Sequence, residues 1–169
     1  CVVCVGIFLA INFQKEPVSP ELLARFGTLA ADEIWDGAFW GLIAAVFVHS
    51  EWWHVAINLF WLWLFGSRIE RAIGSLRFLG LVISAAFVSS AMQLGISGDT
   101  GIGLSGVDYA LFGFMWVARE RYPQFKTVLN RKTIQLFMAW LFGCLLVTLV
   151  GILNFGNAAH FAGLLFGAT

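Results

Sequence analysis

The sequence predicts an all-α, polytopic membrane protein: a bundle of six helices with a membrane-embedded first loop. Three observations predict it. Of 169 residues, 60% are hydrophobic and only 12% charged, and mean hydropathy is +0.84. A soluble domain runs at about 45–50% apolar and about 25% charged, so this chain has too little polar side chain to cover a water-facing surface. Finally, the apolar residues fall in separate runs. A hydrocarbon core of ~30 Å takes ~20 helical residues per crossing. Five or six such runs fill residues 1–169 and leave room for one domain.

Composition also excludes several classes. Ten basic residues balance ten acidic ones, so no basic surface points to nucleic acid. The three cysteines, Cys1, Cys4 and Cys144, lie in apolar runs without metal-ligand spacing. They read as small buried side chains, and neither metal nor cofactor is expected. The eight tryptophans suit the aromatic belts where a bilayer meets water. No signal-peptide layout is visible at the start. The chain opens at Cys1 and closes at Thr169 inside apolar stretches, and reads as the core of a longer membrane protein.

In chain order, residues 1–13 are apolar but too short to cross alone, and read as the outer end of a first, cut-short span. Residues 14–51 form a long mixed segment with Pro17, Pro20, Glu16, Glu21, Asp32, Glu33 and Asp36. Within it, Gly37 to Val48 has the length of an interfacial or re-entrant element, with Phe39 and Trp40 as headgroup-level anchors. A second span covers 52–71 and a third 78–96. The third ends in the turn cluster Ser97-Gly98-Asp99-Thr100-Gly101. A fourth covers 102–118, a polar linker with Pro123 follows, the fifth covers 134–153, and the sixth, 155–169, is cut short.

Lysine and arginine set the expected orientation. Arg68 and Arg71 close span two and Arg77 follows it; Arg119, Arg121, Lys126, Arg131 and Lys132 follow span four. That places eight of the ten basic residues on one side. Lys15 and Arg25 face the other side among a majority of acids. The N-terminus is therefore expected in the cytoplasm, with spans two, four and six running inward.

This orientation brings polar residues to one depth. His54 and Asn58 sit one turn apart, on one face, in the outer turns of span two. Ser105 lies in Gly101-Ile102-Gly103-Leu104-Ser105-Gly106-Val107-Asp108-Tyr109, at the top of span four. His160 lies in Gly156-Asn157-Ala158-Ala159-His160-Phe161-Ala162-Gly163, at the top of span six. Span four carries Gly106, Ala110 and Gly113; span six carries Gly156, Ala159, Gly163 and Gly167. Such stripes of small residues let membrane helices touch backbone to backbone, which a Ser105–His160 hydrogen bond requires. Polar groups at membrane depth are costly and point to function.

The residue types fit acyl transfer. A serine hydroxyl is a weak nucleophile and needs an adjacent base, here His160. The oxyanion formed on attack needs fixed donors: the Asn58 amide, the His54 imidazole and the backbone N–H of Ser105. Gly103 and Gly106 let the backbone turn and a substrate approach closely. No carboxylate is placed to orient His160, so a dyad is expected. Tyr109, one turn below Ser105, can stack on the imidazole instead. Asp108 is costly in an apolar helix unless protonated or paired. It is expected to face the wet cavity or to pair with His54 or His160, as an accessory group.

Gly103-Leu104-Ser105-Gly106, the His54-x-x-x-Asn58 spacing, and Gly156-x-x-x-His160 followed by Gly163 and Gly167 together resemble the rhomboid intramembrane serine proteases, in the bacterial layout, from about residue 35 to 169. The resemblance implies a six-helix core in a bacterial inner membrane, its active site open to the outer side. It implies Ser105 as nucleophile, His160 as general base, His54, Asn58 and the Ser105 amide as the oxyanion site, and Tyr109 stacked on the histidine. It also implies that residues 14–51 form an embedded first loop, that span five gates substrate access, and that Glu70-Arg71 with Gly74 is a cytoplasmic turn. The implied substrates are single-span transmembrane proteins cut near the outer boundary, after a small residue. Many relatives carry Trp-Arg where this chain has Trp40-Gly41, so the arginine expected to anchor that loop is missing.

Three rival functions fit the residues less well. A catalytically inactive relative that binds membrane proteins usually lacks the serine or the histidine, and both are here. A proton channel needs polar residues through the full depth, whereas the inner halves of these spans are almost wholly apolar. Haem between His54 and His160 finds little room beside the small-residue stripes.

Overall fold

The computed structural model describes residues 1–13 and 18–169. Lys15, Glu16 and Pro17, expected where the first loop opens, lie outside the described residues.

Helix α1, Val2–Asn12, is apolar and buries Cys4 and Ile11. The first loop then folds as three short helices, α2 (Pro20–Ala24), α3 (Ala31–Trp35) and α4 (Gly41–Ala44), with a 3-10 turn at Ala45–Phe47. Local chemistry starts each. The Ser19 side chain accepts from the Leu22 N–H, with Pro20 as the first helical residue, a favoured opening because proline has no N–H to leave unsatisfied. The Ala30 N–H donates to Glu33 Oε2 at 2.9 Å. Two apolar clusters hold the loop: Leu22 and Val48 with Ile11, and Ile34 and Leu42 with Leu94 of a later helix. Gly41, where an arginine was missed, is packed so closely that a Cβ would sit 3.0 Å from Leu29 Cδ1. Apolar packing anchors this loop.

Residues 52–73 are helical throughout: α5 (Trp52–Trp61), a π turn at Leu62–Gly66, and α6 (Ser67–Ile73). Gly74, at φ +86°, ends that run, and Ser75 Oγ donates to Glu70 Oε1 at 2.7 Å across the corner. Helix α7 spans Ser75–Ser97 and stops at Gly98 in the left-handed conformation, the usual glycine stop. Then come α8 (Ser105–Ala118), a 3-10 turn at Pro123–Thr127, α9 (Arg131–Leu149) and α10 (Asn157–Gly167). In the polar linker, Lys126 Nζ donates to Glu120 Oε2 at 2.6 Å. That bond holds the Glu120 carboxyl below its usual range; both groups are exposed, so it adds little to stability. Helices α7 and α9 are long and apolar enough to cross a bilayer.

Boundaries differ from the sequence reading where backbone chemistry overrides hydropathy. Helix α8 starts at Ser105 rather than Ile102, because Gly101 and Gly103 adopt φ of +64° and +96°, which no α-helix accommodates. Helix α9 starts earlier than residue 134 because Asn130 Oδ1 accepts from the Lys132 and Thr133 N–H groups. It ends at Leu149 rather than 153: Gly151 takes φ +74°, and Ile152 and Leu153 continue as an apolar loop. Helix α7 begins at Ser75 rather than Phe78, immediately after the Gly74 corner.

Helix α8 is the central element. From Gly106 to Gly113 every residue is buried, as is Met115. On one side Phe112 stacks on Phe137 of α9, with centroids 4.6 Å apart and planes 8° apart. On the other side lies α10, and there the small-residue stripes meet. A Cβ on Gly163 would run into the Gly106 carbonyl oxygen, one on Gly167 into that of Ala110, and one on Gly113 into that of Leu164. Gly156 takes no part: the nearest atom to its Cβ would be Gln93 Oε1, 3.7 Å away.

This packing predicts opposite outcomes for one substitution at two helical glycines. Gly163→Ala should destabilise the protein in detergent by the ~1–3 kcal/mol typical of an overpacked core, seen as a lower thermal midpoint. Gly143→Ala in α9, where a Cβ would meet nothing within 4 Å, should be neutral or stabilising by up to about 1 kcal/mol through helix propensity. Circular dichroism on both variants checks this.

Candidate active site

Two helix N-termini and one helix turn converge on a cavity of about 360 Å³. Ser105 opens α8, so its hydroxyl stands at the positive end of that helix. His160 sits in the first turn of α10. Its Nε2 lies 2.8 Å from Ser105 Oγ; in the tautomer with the proton on Nδ1, the hydroxyl donates and the imidazole accepts. The contact follows from the glycine packing, since Gly163 lies one turn below His160 and Gly106 is next to Ser105.

Gly103 shapes the approach to the serine. At φ +96° it takes a backbone conformation that side-chain-bearing residues avoid, and a Cβ there would fall 2.6 Å from His54 Nε2. The Gly103 backbone therefore lies directly against the imidazole. Gly106 is equally confined, with a Cβ falling 2.7 Å from Ser89 Cβ of α7.

His54 and Asn58, one turn apart on α5, reach the same cavity. One end of the Asn58 amide faces His49 Nε2 at 2.9 Å, His54 Nε2 at 3.1 Å and the Leu104 backbone nitrogen at 3.3 Å. The other end faces Asp108 Oδ2 at 3.3 Å. Asn58 is 3% exposed, so its amide has little freedom beyond these partners.

Tyr109 lies under the imidazole of His160, with ring centroids 4.9 Å apart and planes at 36°. Its hydroxyl donates to the Phe137 carbonyl at 3.0 Å, tying the ring to α9. Nδ1 of His160 has no hydrogen-bond partner among the described residues, and no carboxylate meets it there. Beside the Ser105 bond, ring contact limits rotation of this imidazole.

The structure brings Ser105, His160, His54, Asn58, Gly103 and Gly106 to one cavity, with Tyr109 beneath it. Asp108 departs from expectation. It is 3% exposed and faces Asn58, with no hydrogen bond to His54 or His160 among the described residues; its Oδ1 is unpartnered. Its position explains this, because Asp108 is three residues past Ser105 and faces α5 rather than α10. Asp108 instead borders a second space, a groove of about 440 Å³ between α5 and α9, lined by Ile57, Phe60, Trp61, Leu136, Phe137 and Trp140 and reaching Ser105.

Two further residues belong to this surround and were not read from the sequence. His49, fully buried, donates from Nδ1 to the Phe47 carbonyl at 3.2 Å and turns Nε2 to Asn58. Gln93 of α7, 3% exposed, accepts the Ala159 N–H through Oε1 at 3.2 Å, fixing the first turn of α10. The signal was available: a third histidine, and a glutamine within a 23-residue apolar helix, are the costly polar groups that membrane depth makes informative. Among the described residues, no group of three or more His, Cys, Asp or Glu could hold a metal ion.

Residues 36–169 match the family model described as the Rhomboid domain. Curated proteins similar to this chain include Rhomboid protease GlpG of Salmonella choleraesuis (strain SC-B67), 29% identical over 174 residues, covering 98% of this chain and 58% of that protein. The Rhomboid protease GlpG of Salmonella paratyphi A (strain ATCC 9150 / SARB42) and that of Salmonella typhi are each 30% identical over 172 residues, covering 97% of this chain and 57% of those proteins. The chain thus spans somewhat more than half the length of these relatives.

Tyr109→Phe should keep the ring under His160 and lose only the bond to the Phe137 carbonyl, lowering stability by about 0.5–1.5 kcal/mol. Tyr109→Ala removes the ring as well and should cost ~3–5 kcal/mol. Denaturation of the two variants in detergent separates the contributions.

Proposed function

The chain belongs to the rhomboid family, and from that premise we propose that it is an intramembrane serine endopeptidase, working through a dyad of Ser105 and His160. The single observation that carries this reading is the 2.8 Å bond between Ser105 Oγ and His160 Nε2 at the edge of a cavity lined with donors. In this reading His160 takes the Ser105 proton as the hydroxyl attacks a substrate carbonyl. The Ser105 backbone N–H, the Asn58 amide and the His54 imidazole receive the oxyanion. The imidazolium then gives its proton to the leaving amine, and a water repeats the sequence to release the acyl group. Tyr109 holds the imidazole by stacking, the orienting task that a carboxylate performs in triads.

As a rhomboid-family chain this is an integral membrane protein. The finer topology belongs to the proposal: one domain of six spans, a cytoplasmic N-terminus, a bacterial inner membrane and an active site facing outward. The basic residues clustered in α6 and the first turn of α7, and again between the end of α8 and the start of α9, support it. Helix length supports a submerged site. Helix α8 has 14 residues and rises about 21 Å, against ~30 Å of hydrocarbon. If its inner end reaches the inner boundary, Ser105 lies several ångströms below the outer one. Substrates would be single-span transmembrane proteins cut near that boundary, after a small residue. The groove between α5 and α9, with Phe60 50% and Trp140 48% exposed, gives such a segment a lateral path from lipid to Ser105.

A catalytically inactive membrane-protein binding factor is the second reading. The intact Ser105–His160 bond weighs against it, since a binding factor has no use for a paired nucleophile and base.

Reconstituted protein should cleave a single-span reporter with a small residue at the outer boundary. Ser105→Ala and His160→Ala should reduce cleavage to background. Asn58→Ala, removing one oxyanion donor, should lower kcat by ~10²–10³ with little change in KM. Cleavage that survives Ser105→Ala would overturn the mechanism.

A further inference from the structure

Asp108 is a buried group that the proposed mechanism leaves unused, and its contact with Asn58, whose far end meets His49, defines a role for it. Donor and acceptor logic runs along the chain of contacts from Phe47. The Phe47 carbonyl can only accept, so His49 Nδ1, 3.2 Å away, carries a proton. His49 is fully buried with no carboxylate bonded to it among the described residues, and a lone buried cation is very costly, so the ring is neutral and Nε2 is a lone pair. That lone pair lies 2.9 Å from one end of the Asn58 amide, the shortest contact there, and it calls for the NH2. The Asn58 oxygen then faces Asp108 Oδ2 at 3.3 Å. Two oxygens at that separation bond only if the carboxyl supplies a proton.

The opposite orientation has opposite consequences. With the amide turned over, NH2 would bond an ionised Asp108, and the oxygen would face Gly103, Leu104 and His54, where the oxyanion forms. An acceptor at that place repels the developing negative charge. The Leu104 N–H, 3.3 Å away, and His54 Nε2, 3.1 Å away, when it carries the ring proton, favour this turned-over state, so the amide stands between competing demands and its far-end partner decides.

We propose that Asp108 is a positioning residue: from a protonated carboxyl it donates to the Asn58 oxygen and so holds the Asn58 NH2 toward the oxyanion site. This rests on the serine protease reading and adds to it the group that fixes the orientation of one oxyanion donor. No bond to substrate is involved; Asp108 acts through Asn58 alone.

The test uses Asp108→Leu, of similar shape without polar atoms, and Asp108→Asn, which retains a donor. Asp108→Leu should lower kcat about tenfold, a fraction of the ~10²–10³ lost when a donor is removed outright, with KM unchanged. Asp108→Asn should recover most of that loss. In an Asn58→Ala background, Asp108→Leu should have no further effect, because contacting residues are coupled. Infrared spectra supply a readout without turnover: a protonated-carboxyl band absent from Asp108→Asn and shifted in Asn58→Ala. Wild-type kcat in Asp108→Leu, an equal loss with Asn58 already removed, or no protonated-carboxyl band would overturn the proposal. A wild-type chain without Ser105-dependent cleavage would instead remove the underlying reading, and the proposal with it.

Discussion

The contact between α8 and α10, backbone against backbone, is the constraint on which the rest of the structure depends. Gly163 and Gly167 lie on the carbonyls of Gly106 and Ala110 with no room for a Cβ. In a bilayer the lipid tails are as apolar as any side chain, so helices associate through close packing rather than exclusion of water. A contact this close fixes two helices in both rotation and depth. It sets Ser105, one residue before Gly106, opposite His160, one turn before Gly163. The hydrogen bond between them follows from the packing.

The surround of that pair is economical. One serine at a helix N-terminus supplies a hydroxyl and a backbone N–H. One turn of α5 supplies His54 and Asn58, and the positive φ of Gly103 brings the chain against them. Neighbouring helices add fixed acceptors: Gln93 of α7 for the Ala159 N–H and Phe137 of α9 for the Tyr109 hydroxyl. Buried polar groups at membrane depth need partners, and meeting that need here holds each side chain in place. Among the described residues the exceptions are His160 Nδ1, Asp108 Oδ1 and Asn157 Oδ1, and the first two belong to or lie beside groups of the proposed mechanism.

Much of this was legible in the sequence because membrane chemistry makes polar residues scarce. In a chain 12% charged, a serine, an asparagine and two histidines at matched depth stand out, and the glycine stripes announce which helices touch. Helix ends were less legible. Hydropathy carried the fourth span back to Ile102 and the fifth on to Leu153, because Ile102, Ile152 and Leu153 are as apolar in a loop as in a helix. The positive φ of Gly101, Gly103 and Gly151 is a property of the folded backbone and leaves no mark on hydropathy. Asp108 was misdirected for a related reason: spacing placed it near Ser105, but which neighbouring helix it faces depends on the rotation of α8. His49 and Gln93 were missed although the rule that found His54 and Asn58 applied to them equally.

The central claim is that His160 activates Ser105 because packing holds them in contact. Its most direct test is the site and rate of reaction with a fluorophosphonate, mapped by mass spectrometry in wild type and in His160→Ala. The account predicts a single adduct on Ser105 in wild type and almost none in His160→Ala. Equal labelling of Ser105 with and without His160, or an adduct elsewhere, would contradict it.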